Sequence, residues 1–548
     1  MRQRFRTRLW TAAVVAVPLA VLGAFFLYPV AGMVGRGFWS DGSFDPGAVL
    51  SVLGRPRVHR VLWFTVWSSG LSTALAVLLG VPTAFVLHRL SFPGQRLMRT
   101  LIVVPFVLPT VVVGVAFRQL IAPTGPLGGL GLDGTATAIV AALVFFNVSV
   151  VVRTVGSFWE GLDRRTEEAA AALGASPARV FAGVTLPALL PAIASAASVV
   201  FLFCSTSFGI VLALGGLRYA NVETEIYQLT TQDLDLRAAA ALSVLQIAVI
   251  TGLLVLSHRA RRDAPALARA AEAGRRPRWR DAGVVTWAVV VVALLMTPLV
   301  SLTLASLRVP GGGWTLANYR ALQTTGAHNA LLVTATDALE HSLVVAVQAA
   351  SFALVLGTVV AVLVSRRPRS APARRFTGFL DGVFMLPLGV SAVTLGFGFL
   401  ITLNRAPLDL RSSPLLVPIA QAMVALPLVV RTVAPVLSSI DPRQREAAAS
   451  LGAGPLRVLA SVDLPYAARA LLGAAGFAFA VSLGEFGATS FLSREDDPTL
   501  PVVIFRLISR PGAENFGMAL AASVVLAAAT AGVMMVVERL RVGSVGTF

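Results

Sequence analysis

The sequence predicts an all-α polytopic membrane protein: about twelve transmembrane helices arranged as two parallel-repeated six-helix domains. Three observations carry this. The 548 residues are 56% hydrophobic and only 13% charged, with a mean hydropathy of +0.79, whereas a soluble chain of this length carries about a quarter charged residues. The charges lie in short islands between apolar runs of about 20 residues, the length that crosses a hydrocarbon core as a helix. A long stretch of the first half also recurs, in register, in the second.

The first apolar run, near 9–30, follows "MRQRFRTR". It is long for a signal-peptide core and lacks a convincing small-x-small cleavage site, so it reads as a retained helix. Further runs place helices near 61–87, 100–120, 135–157, 189–213 and 236–257, then near 282–306, 342–364, 377–402, 413–434, 468–491 and 516–538. The first domain is thus 1–260, an Arg/Ala-rich linker occupies 261–280, and the second domain is 281–548. Glycine and proline in "VLPTVVVGVAF" and "MLPLGVSAVTLGFGF" are placed to loosen helices three and nine.

Every basic residue is Arg, and most lie in alternate loops, as the positive-inside rule requires. Both termini and the linker are therefore expected on the cytoplasmic side. The net charge of +18 expresses this topology and gives no support to a nucleic-acid partner. The single cysteine, Cys204, lies in an apolar run, which excludes a disulfide within the chain.

The repeat holds at an offset of 278 residues. Leu108-Pro109 matches Leu386-Pro387, Val151 to Val155 matches Val429 to Val433, and Phe208-Gly209 matches Phe486-Gly487. Upstream the offset becomes 277, where Gly80 matches Gly357 and Arg89 matches Arg366. Six helices per half is an even number, so both halves lie the same way up, related by an axis along the membrane normal.

Its centre is "EEAAAALGASPARVFAGVTLP" at 167–187, rewritten as "REAAASLGAGPLRVLASVDLP" at 445–465. Alanines after an acidic first turn favour helix, and Gly174 or Gly452 ends it. Pro177 or Pro455 suits the first turn of the next helix. One such copy alone reads equally well as a loop helix on the bilayer surface. Two in register suit a partner with twofold symmetry.

Glu-Ala-Ala, Gly six residues after the Glu, and then an aliphatic residue (Val184, Val462) before Leu-Pro resembles the coupling-helix motif of ABC importer permeases of the binding-protein-dependent type. The six-helix repeat around it extends the resemblance over nearly the whole chain. Two permease domains in one chain resemble the thiamine and iron(III) importers of that group. The resemblance implies a multi-pass protein of the bacterial inner membrane, served by an extracytoplasmic solute-binding protein and two cytoplasmic ATPase subunits. It also implies that Glu168, Ala169, Ala170, Gly174 and Pro187, with Glu446, Ala447, Ala448, Gly452 and Pro465, form the ATPase-coupling segments. A P-loop needs a lysine, and this chain has none, so ATP and Mg are used by the partner and the chain is not an enzyme by itself. No metal site is expected, because the five His are scattered.

"FLFCSTSFGIVLALGG", "IYQLTTQDLDLRAAAALSVLQ" and "SLGEFG" followed by "DDPTLP" resemble thiamine permeases more than iron(III) permeases. The expected solute is thiamine or its phosphate esters, with iron(III) or another small solute as the alternative. A charge within the bilayer costs at least ~2.5 kcal/mol. Glu485, in the outer part of helix eleven, is therefore singled out, either lining the pathway for a cationic solute or serving as a structural partner for an Arg or as an interfacial residue in contact with water. Ser207, Ser205, Asn147 and Gln421 are weaker pathway candidates, with interhelical hydrogen bonding as the plainer role. An ion-coupled secondary transporter is the rival class. It requires carboxylates in the bundle core and leaves the repeated motif without a task.

Overall fold

In a computed structural model the chain is described over residues 15–40, 43–216, 218–262, 274–309, 313–366, 370–405 and 408–540. The expected cytoplasmic termini and most of the linker lie outside these residues. Helices dominate, with two two-residue hairpins, Trp39–Ser40 with Ser43–Phe44 and Asn404–Arg405 with Leu408–Asp409.

Ten helices among the described residues are long and apolar enough to cross a membrane. In chain order those used below are α1 (Val15–Phe38), α2 (Pro56–Arg89) and α3 (Ala136–Glu160), followed by the spans Pro177–Ser205, Leu236–Leu253 and Trp279–Ser306. The second half supplies α4 (Ala335–Ser365), α5 (Leu416–Ser439), and the spans Pro455–Leu483 and Ala513–Val537. Local sequence sets their ends. The Thr135 hydroxyl accepts the Ala138 amide at 3.3 Å to open α3, and Thr334 with Asp337 forms a capping box that opens α4. Trp63, Val66, Leu71 and Leu78 leave one side of α2 apolar and exposed, the surface that lipid covers.

Four of the expected twelve helices are not continuous: the fifth ends at Ser205 and restarts at Phe208, the eleventh ends at Leu483 before Thr489–Leu492, and the third and ninth break near their Leu-Pro pairs. The third is Gln95–Val107 and Thr110–Ile121, bent by 103°. A residue before proline is driven out of the α region, and Leu108 accordingly stands extended at φ −70°, ψ 142°. The ninth is divided into Ala371–Met385, a 3-10 turn at Leu386–Gly389, and Ala392–Thr402. Its break falls at extended Val390, after which the Ser391 hydroxyl accepts the Thr394 amide at 3.0 Å. The same Leu-Pro pair thus ends in two different breaks.

The chain forms two compact units by contact, and each includes the first helix of the other sequence half. One unit comprises the described part of Met1–Leu53, with Ile226–Ile247 and Tyr319–Val545. Here Leu22 and Phe26 of α1 join a core with Phe384, Leu395, Phe399 and Met423. A Cβ on Gly32 would collide with the Thr402 side chain, so the small residue permits close approach. The other unit comprises Gly54–Glu225 and Ala248–Asn318. Ala288, from the sequence of the second half, is buried there with Val86 and Leu90.

Candidate functional site

The two repeated segments follow the same backbone path, element for element. Asp163 caps Arg164–Ala172 by accepting the Arg165 amide at 3.0 Å, and Asp441 caps Pro442–Ser450 through the Arg443 amide at 2.9 Å. Each helix ends on a glycine at φ +86°. The following amides bond back, Gly174 to the Ala171 carbonyl and Ala175 to Ala170, Gly452 to Ala449 and Ala453 to Ala448. This is the left-handed helix stop that glycine alone adopts without steric cost. One-turn helices then begin at Pro177 and Pro455, followed by π turns at Phe181–Thr185 and Leu459–Asp463 and long helices from Leu186 and Leu464.

Exposure repeats too. Glu168, Ala169, Gly174 and Pro187 are exposed and Ala170 is half-buried; Glu446, Ala447, Gly452, Pro465 and Ala448 repeat that order. Leu173 and Leu451, beside the glycines, are each 90% exposed. Both leucines therefore project from their corners as apolar side chains with little packing inside the chain.

Behind each segment lies a polar cluster that the sequence reading missed: Arg89, Glu167 and Thr185 in one unit, Arg366, Arg445 and Asp463 in the other. The matching of Arg89 with Arg366 was its visible signal. The acids gave no parallel cue, because they occupy different registers.

Glu485 is not on helix eleven as expected. It lies between Leu464–Leu483 and Thr489–Leu492 and is 7% exposed. Its carboxylate accepts the amides of Ala488 at 2.7 Å and Thr489 at 3.0 Å, and also the Thr489 hydroxyl. Its bonds are thus to a short helix start, not to an arginine. Gln421 donates to the Thr489 hydroxyl at 3.2 Å, so Gln421, Thr489 and Glu485 form one buried chain of bonds.

The first-half candidates lie in the other unit. Asn147 donates to the Leu143 carbonyl at 2.9 Å and contacts the Cys204 sulfur at 3.4 Å. Ser207 is buried at the equivalent helix break, where its carbonyl accepts Asn221 at 2.8 Å. Ser205 bonds only within its own helix, to the Leu202 carbonyl at 2.9 Å. Among the described residues, no group of three or more His, Cys, Asp or Glu is gathered to hold a metal.

The sequence profile described as "Binding-protein-dependent transport system inner membrane component" matches residues 76–262 and 344–541. Each match contains one repeated segment. The thiamine transport system permease protein ThiP of Escherichia coli (strain K12) is 28% identical over 469 residues, covering 82% of this chain and 83% of that protein. ThiP of Brucella abortus (strain 2308) is 27% identical over 513 residues, covering 91% and 90%. The probable ABC transporter permease protein y4fN of Sinorhizobium fredii is 27% identical over 577 residues, covering 97% and 96%. With two matched regions that together span most of its length, the chain belongs to the family of binding-protein-dependent transport system inner membrane components.

Proposed function

We propose that this chain forms the membrane pathway of an ATP-driven importer, coupled to two ATPase subunits through Glu168–Gly174 and Glu446–Gly452. The observation that carries this reading is the duplicated corner, in which Leu173-Gly174 and Leu451-Gly452 share one backbone conformation and one pattern of exposure. One kind of cleft then fits both. ATP-driven closure of the two subunits draws the corners together and opens the pathway outward, and hydrolysis returns it inward. The chain supplies geometry, and the nucleotide and Mg stay with the partner.

The arginine distribution supports a cytoplasmic side for both corners and both termini, and a solute-binding protein would then dock on the opposite face. The best-supported solute is thiamine or one of its phosphate esters, because two proteins similar over most of their length are thiamine permeases. Each unit offers its own polar candidates to the pathway: Glu485 and Gln421 in one, Ser205, Ser207 and Asn147 in the other.

The test is uptake of labelled thiamine, with iron(III) as comparison, in cells with and without the gene. It is paired with pull-down of an ATPase by the chain and by a Gly174→Trp/Gly452→Trp variant. Thiamine uptake and ATPase capture that both depend on the intact glycines support the proposal. Loss of iron uptake alone overturns the solute, and normal capture and uptake by the variant overturn the coupling role.

A further inference from the structure

The two polar clusters behind the exposed corners solve one problem with the charges exchanged. In the first, Arg89 at the end of α2 donates to Glu167 at 2.7 Å, and the Thr185 hydroxyl donates to the other Glu167 oxygen at 2.9 Å. Arg89 also reaches the Trp159 carbonyl at 3.4 Å. In the second, Arg366 beyond the end of α4 donates to Asp463 at 2.6 Å, and Arg445 donates to the other Asp463 oxygen at 2.6 Å. Arg445 also reaches the Leu437 carbonyl at 2.7 Å.

Register makes the exchange explicit. Glu167 corresponds to Arg445, Thr185 to Asp463 and Trp159 to Leu437. A carboxylate on the short helix in one half has become an arginine in the other, and the carboxylate has moved to the last residue of the π turn. In both, an arginine at the membrane-helix end, the short helix and the π turn meet on one carboxylate, and the same backbone carbonyl is satisfied. Arg89 is 4% exposed and Asp463 is fully buried, and charges so placed require a partner. Charge-assisted bonds between rigid elements also hold orientation better than apolar contact.

We propose that each cluster is a lock that makes the exposed corner rigid with the inner end of its membrane helix, α2 or α4, so that a push on the corner becomes movement of that helix. Arg89, Glu167 and Thr185, and Arg366, Arg445 and Asp463, are positioning residues and need not touch ATPase or solute. This goes beyond the proposed coupling role and rests on it.

The exchange supplies its own test. Glu167→Arg leaves two arginines facing each other without an acid, whereas Glu167→Arg with Thr185→Asp rebuilds the arrangement of the second half. The mirror pair is Asp463→Thr alone and Asp463→Thr with Arg445→Glu. Two readouts apply: amide exchange of residues 164–172 and 442–450 in the purified chain, and uptake per ATP hydrolysed in vesicles holding the full complex. The single variants should exchange at least roughly tenfold faster at the affected helix and lose uptake about tenfold while still associating with the ATPase. The paired variants should recover to within about threefold.

Wild-type exchange and uptake in Glu167→Arg would overturn the lock. So would paired variants that insert and associate but remain as impaired as the single ones. If Glu167→Arg fails to insert, Glu167→Gln removes the charge alone, and unchanged exchange there would equally overturn it. A wild-type chain that captures no ATPase would instead sink the coupling reading, and the exchange measurements would still decide the lock.

Discussion

Gly80 lies against Val151 so closely that a Cβ on the glycine would stand 2.7 Å from Val151 Cγ1, and Gly357 meets Val429 at the same 2.7 Å. These pairs hold α2 on α3 in one unit and α4 on α5 in the other. Side chains at such sites force repacking of a close-packed contact, at about 1–3 kcal/mol each. Gly80→Val and Gly357→Val should each lower the thermal midpoint of the purified chain. Gly252→Ala, where nothing lies within 4 Å of the added atom, should leave it unchanged or raise it.

The left-handed glycines should be costly to replace even though a Cβ there meets open space. An L-residue in that conformation costs about 1–2 kcal/mol. Gly174→Ala and Gly452→Ala should loosen the ends of their helices in amide exchange and weaken ATPase capture, and the double variant should do so more than either. Equal exchange in variant and parent would refute the conformational argument.

Leu173 and Leu451 should separate docking from stability. Each is 90% exposed, and substitutions at such positions change stability by about 0.5 kcal/mol or less. Leu173→Asp and Leu451→Asp should therefore keep the thermal midpoint while ATPase capture falls. A midpoint that drops with capture would mean the leucines pack within the chain after all.

Glu485 bonds to the Ala488 and Thr489 amides, and its removal should be felt first as folding. Glu485→Ala leaves those donors buried without acceptors, at about 1–3 kcal/mol. Glu485→Gln keeps one carbonyl acceptor and should fold with a smaller loss. Uptake then decides the second role. A well-folded Glu485→Gln chain that loses thiamine uptake places the charge on the pathway, whereas normal uptake leaves it as a helix cap.

Much of this architecture is legible in residue order, because its causes are local. Hydropathy marks the spans, since each must satisfy its backbone within one helix in lipid. Leu108-Pro109 marks a break because proline's ring constrains its predecessor, although the 103° bend depends on what each half-helix packs against. Asp163, Gly174 and Pro177 write the corner within fifteen residues, and the second copy repeats it.

Glu485 was misplaced because an apolar neighbourhood reads as continuous helix, whereas its carboxylate caps a new one. The locks were invisible because Arg89 and Glu167 are 78 residues apart, and no periodicity links an acid on one element to an arginine on another. The sequence by itself determined the membrane class, the twofold repeat and the two exposed corners. Only tertiary structure decided which helices form each unit, where the breaks turn and which carboxylate closes each lock, because those outcomes depend on packing and charge pairing between segments far apart in the chain.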